Sequence, residues 1–199
     1  MTAVDGGDYD TSLREFLDAG GGGGGDGGGG GSTRFYGKYR ATVLNNIDPM
    51  GIGRVQCFVP DVAAVLPSTW CMPCVPITGI QSGVHVVPGL GSGVWIEFEQ
   101  GDPDYPIWVG GFWGSRADVP ALAQAGVPGS PSIVLQTQTQ NTLMISDAPG
   151  PAGGILIKAR SGAFISVSDT GIIIQNGQGA SLVLQGPQVI VNLGALVVQ

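Results

Sequence analysis

The chain has 199 residues and a formal net charge of −7, with 43% hydrophobic and only 12% charged residues. An acidic balance with few Lys and Arg excludes a surface built to neutralise phosphates, and no apolar run reaches the roughly 18 residues of a membrane helix. The 36 glycines and 14 prolines point to turns and short strands, and the three cysteines are expected to be free thiols.

Residues 1–19 are acidic and polar, with no basic region followed by an apolar run, so no secretory signal is expected. Within them Leu13, Phe16 and Leu17 are spaced for one small helical face, too short to be stable alone. Residues 20–31 are glycine apart from Asp26, a flexible coil spanning on the order of 20 Å. Residues 1–33 are therefore expected to be an N-terminal tail.

Residues 34–116 have the pattern of a compact β domain. Arg40 to Ile47 is a strand candidate closed by the turn Asp48-Pro-Met-Gly51, and Val55 to Val59 is the next. Trp70 to Ile77 is apolar but broken by Pro73 and Pro76, which suits an edge strand or irregular chain. Val84 to Val87, Val94 to Glu99 and Ile107 to Val109 complete the set, and such a series suits a small closed barrel of the OB type. Trp95, Trp108, Phe112 and Trp113 alternate as core aromatics would.

A linker is expected over 117–132, and the chain changes character at 133–199. Short apolar bursts begin at Ile155, Phe164, Ile172, Leu182, Val189 and Leu196, spaced 9, 8, 10, 7 and 7 residues apart. This is repetition at strand scale. From Thr170 to Gln199 no residue is charged, so the strands would offer open edges and two apolar faces if they stood alone. Interwinding identical copies removes both problems, and a triangular three-chain prism is the natural closed form. Its core candidates are Ile155, Ile157, Ile165, Val167, Ile172, Ile174, Leu182, Leu184, Val189, Val191, Leu196 and Val198. The fold class expected is thus all-β: a small OB-fold barrel followed by a C-terminal β-helical triangular prism of three intertwined chains.

Candidate chemistry is sparse. Glu97 and Glu99 share a strand face, and Asp102 and Asp104 follow in a turn; paired carboxylates serve glycosidases, but this composition is what a solvated strand and an Asp-Pro turn require. Cys71 and Cys74 have metal-ligand spacing, and Cys57 with His85 would complete a Cys₃His zinc set. No second CxxC pair exists, so the thiols are expected to behave as small apolar residues, with no metal and no cofactor. His85 is the only histidine, which restricts any nucleophile–histidine arrangement to its neighbourhood. The barrel holds five Lys/Arg against six Asp/Glu over 34–116, which argues against single-stranded nucleic acid as a ligand. No catalytic residue is expected.

Tyr36-Gly-Lys-Tyr-Arg40, Asn45 to Gly51, Ile52-Gly-Arg-Val55, Met72 to Pro76 and the long run Pro88 to Gly114 together resemble the OB domain of phage baseplate assembly protein V. That domain is shared with VgrG spikes of type VI secretion and with extracellular contractile injection systems. Asn141 to Asp147 resembles the connector that follows it, and Val191-Asn-Leu-Gly-Ala-Leu196 resembles the end of the spike repeat. The resemblance implies a homotrimeric central spike, made in the cytoplasm and built into an injection particle that contacts the target membrane only on firing. It also implies a PAAR-type tip protein at the C-terminal end. VgrG proteins carry a hub region ahead of the OB domain, which here implies a separate hub protein. T-even spikes carry a lysozyme domain after it, and only the short linker expected over 117–132 stands there, so muralytic activity does not carry over. An alternative role is an effector carrier whose tail or tip docks cargo.

Overall fold

A computed structural model describes residues 33–63, 65–125, 129–192 and 195–198. The tail expected over 1–33 lies outside them except for Thr33. The chain forms two compact units that divide between Gly114 and Ser115.

The first unit is a small barrel. Its five-stranded sheet has the order β2-β1-β6-β7-β3, with β1 at Tyr39–Asn45, β2 at Gln56–Phe58, β3 at Met72–Pro73, β6 at Gly93–Phe98 and β7 at Pro106–Phe112. A reciprocal bridge between Val55 and Cys71 joins the two edges of this sheet, with N–H···O distances of 3.2 and 2.8 Å. Closure matters because it leaves β2 and β3 without a fully open edge.

Alternation within β1 and β6 sends Ala41, Val43, Val94, Ile96 and Phe98 inward to meet Val55, Cys57, Cys71 and Trp108. Trp108 donates its indole N–H to the carbonyl of Gly53 at 3.1 Å, so its polar atom is satisfied inside the core. The other aromatics differ from expectation. A register shift between β6 and β7 at Trp95/Ile96 leaves Trp108 facing in while Trp95 and Phe112 lie together on the outer face. Arg40 covers both, 5.3 and 5.1 Å from their ring centres, and Trp113 is exposed.

Val84 to Val87 does not form the expected strand. The ladder is instead a two-residue hairpin, β4 (Thr78–Gly79) with β5 (Ser82–Gly83), after which Val84 bonds only to Ile77 and the chain runs on without a partner strand. The loop before β2 is ordered by Asp48. Its carboxylate accepts the N–H groups of Met50, Ile52 and Arg54 and two side-chain bonds from Arg54, whose guanidinium in turn covers Trp70.

The second unit opens with a short helix, α1 (Ala121–Gln124), and then a single eight-stranded antiparallel sheet. The strands are β8 (Ser132–Gln136), β9 (Thr142–Ser146), β10 (Gly154–Lys158), β11 (Phe164–Ser168), β12 (Gly171–Gln175), β13 (Ser181–Gln185), β14 (Gln188–Val191) and β15 (Leu196–Val198). Each pairs with its sequence neighbour, so among the described residues β8 and β15 are the outer strands of this sheet. Tight turns produce this order. Gly186 at φ +54, followed by Pro187, closes β13 onto β14 with Gln185 opposite Gln188. The chain is therefore nearly all-β, as expected, and among the described residues no helix is long and apolar enough to cross a membrane.

Candidate functional site

The register of the second unit brings together the residues singled out from the sequence. In an antiparallel ladder, directly opposite residues share a face, and so do residues two apart on one strand. One row runs Leu135, Leu143, Ile157, Ile165, Ile174, Leu182, Val191 and Leu196. A second, two residues along, runs Ile133, Ile145, Ile155, Val167, Ile172, Leu184, Val189 and Val198. Every position in both rows is Leu, Ile or Val.

All twelve core candidates fall in these rows. Ile133, Leu135, Leu143 and Ile145 extend them and were missed, although each pair has the same spacing of two with one residue between. Their strands stand directly after the expected linker, before the regular spacing that begins at Ile155.

Within one chain this face is not a core. Ile133 and Leu135 are 61% and 63% exposed, and Ile157 is 51% exposed. The opposite face is different in kind. It has one apolar row, Val134, Met144, Leu156, Ile173, Val183 and Ile190, interrupted by Ser166. Polar pairs flank it, among them Gln136–Thr142, Gln175–Ser181 and Gln185–Gln188. The two faces therefore differ by a whole row of aliphatic side chains, which marks one of them as the candidate contact surface.

The barrel holds the other candidates, and it scatters them. Cys57 and Cys71 are buried in its core, with the Ser68 hydroxyl 3.2 Å from the Cys71 sulfur and accepting the Cys57 N–H at 2.9 Å. The hydrogen bond with Cys71 and burial in apolar surroundings push the Cys57 thiol far above its ordinary range. Cys74 is exposed, and His85 lies against Gly53 at the surface. Among the described residues no three His, Cys, Asp or Glu side chains gather where they could hold a metal ion. Glu97 is paired with Lys38, and Asp102 with Arg34 at 3.1 Å. These carboxylates stand in surface ion pairs on separate elements.

Asp48 is the most perturbed carboxyl. Burial opposes its charge, but the Arg54 side chain and the three backbone N–H groups outweigh it and hold the group well below the usual carboxylate range. Its role is to organise the 48–54 loop.

Two families match the chain in the order of its two units. Residues 39–113 match the type VI secretion system/phage-baseplate injector OB domain, and residues 132–197 match the phage baseplate V C-terminal trimerisation domain. No curated protein matches it. The first match covers the barrel and the second the eight-stranded sheet, and the chain belongs to the phage baseplate V and VgrG-like spike proteins of contractile injection systems.

Proposed function

We propose that the protein is the structural central spike of a contractile, phage-tail-like injection particle: a homotrimer that is driven through the target envelope when the sheath contracts. The observation that carries this reading is the double aliphatic row of the C-terminal sheet, uncovered in one chain and lying within the region matched to a trimerisation domain. Three copies with these rows turned to a common axis would share one dry core. The same sheet makes its backbone hydrogen bonds with its own neighbours, so a load along the spike meets both in-chain ladders and a core common to all three copies.

The reading is mechanical rather than enzymatic. Both matched families are structural domains, and of the carboxylates that suggested acid–base chemistry Glu97 and Asp102 are engaged in ion pairs. A separate hub protein at the tube end and a PAAR-type tip protein at the C-terminal end are the partners proposed.

The test is the solution mass of the purified full chain, followed by function in the particle. The expected mass is three times 20.2 kDa, resistant to mild detergent. Particles carrying Ile155→Asp and Ile157→Asp should lose penetration of target cells. A monodisperse monomer would overturn the reading, as would full penetration by particles carrying those variants.

A further inference from the structure

The two buried thiols of the barrel stand at its seam. Cys57 lies in β2, at one edge of the five-stranded sheet, and Cys71 immediately precedes β3 at the other. The seam is thin. The reciprocal Val55–Cys71 bridge spans it, together with the Ser68 N–H donating to the Cys57 carbonyl at 2.7 Å and the Cys57 N–H donating to the Ser68 hydroxyl at 2.9 Å. The edge strands are only three and two residues long, so this is where the barrel has the least hydrogen bonding to hold it shut.

Antiparallel pairing of Val55 with Cys71 puts both cysteine side chains on the inner face, one diagonal step apart. Both residues are fully buried, and their thiols are hydrogen-bonded to one another. The bond from Cys57 and the Ser68 hydroxyl, 3.2 Å away, outweigh burial and hold the Cys71 thiol below its ordinary range. One sulfur is thus the readier nucleophile, and the other stays protonated beside it. That is the arrangement of an attacking and a resolving thiol.

We propose that Cys57 and Cys71 form a disulfide across the barrel seam on exposure to hydrogen peroxide, and that this link locks the barrel closed. Peroxide is small enough to enter when the thin seam opens. The Cys71 sulfur attacks one peroxide oxygen and the O–O bond breaks, leaving a sulfenic acid and a hydroxide that takes up the Cys71 proton as water. The Cys57 sulfur then attacks the Cys71 sulfur, and the S–O bond breaks. The departing hydroxyl leaves as a second water with the Cys57 proton. Two thiols are oxidised and one peroxide is reduced to two waters. The link closes the loop from Cys57 to Cys71, which the unfolded chain would otherwise sample freely. The proposal concerns the barrel alone and does not rest on the trimer reading.

The test uses the full chain with Cys74→Ser, purified with reductant and then held overnight in millimolar hydrogen peroxide. Asp61 lies between the two cysteines, so cleavage at Asp61 after unfolding should leave the two pieces joined until reductant is added. Tryptophan fluorescence follows the barrel by itself, because Trp70, Trp95, Trp108 and Trp113 all precede Ser115. Its melting temperature should rise by at least about 5 °C on oxidation and fall back with reductant. Cys57→Ala in the same background should show no such rise. Pieces that separate without reductant, with both thiols still titratable, overturn the proposal. So does sulfinic acid at either cysteine in place of the link, or a link that joins different chains. A link that leaves the melting temperature unchanged overturns the lock.

Discussion

Ile157 on β10 and Ile165 on β11 stand directly opposite one another, and both stay partly open, at 51% and 41% exposure. A cross-strand aliphatic pair at the middle of an eight-stranded sheet is ordinarily part of a core. In the proposed trimer the pair is half of one, and the other half is the equivalent surface of other copies.

Replacing both residues with serine should therefore weaken assembly more than folding of the single sheet. Each side chain covered in the trimer contributes about 2 kcal/mol, and each substitution recurs in every copy. Sedimentation across a concentration series should show the Ile157→Ser, Ile165→Ser protein dissociating where the parent remains trimeric. Ile173→Ser, on the opposite face, should shift the equilibrium much less.

Asp48 gives a pH dependence with a definite sign. Its carboxyl is held below the ordinary range in the folded barrel, so its contribution is fully present above the unfolded value of about 4. That contribution is lost as pH falls toward the depressed folded value. Thermal melts should show stability declining below about pH 4. Asp48→Asn should lower stability at neutral pH by about 1–3 kcal/mol and flatten that acid dependence.

The three thiols should separate by reactivity. Cys57 and Cys71 are buried in the barrel, and Cys74 is exposed. A colorimetric thiol reagent should titrate one group per chain in the native protein and all three after denaturation. Two fast native thiols would mean that the barrel core opens readily.

Gly177 tests how closely the turns of the sheet stack. An added Cβ there would lie 2.8 Å from the Gly162 carbonyl carbon and 2.9 Å from the Ala163 nitrogen, and the backbone has φ +75. Both contacts are with backbone, which cannot swing aside. Gly177→Ala should cost roughly 1–3 kcal/mol, measured as a fall in melting temperature. Gly179→Ala, where nothing lies within 4 Å, meets only the positive φ and should cost less.

Much of the second unit was legible because strand faces obey parity. Apolar residues two apart, such as Ile155 and Ile157 or Ile165 and Val167, fall on one face whatever the strand's neighbours are. The first two strands were overlooked because their spacing breaks the later rhythm. In the barrel, Val84 to Val87 has a strand-like composition but finds no edge to pair with, and composition cannot report the absence of a partner. The aromatic run misled for a related reason. One register shift at Trp95/Ile96 separates inward Trp108 from outward Trp95 and Phe112, and alternation alone does not reveal where a bulge falls.

The sequence by itself determined that the strands from Ile155 onward have an aliphatic face and no charge to protect their edges beyond Thr170, because side-chain parity and charge are local properties. Only the tertiary structure decided that the ladders form within one chain, which residues of neighbouring strands stand opposite one another, and that Ile80 is lifted clear of the barrel. Those outcomes depend on register and turn geometry, which are set by contacts between residues far apart in the chain.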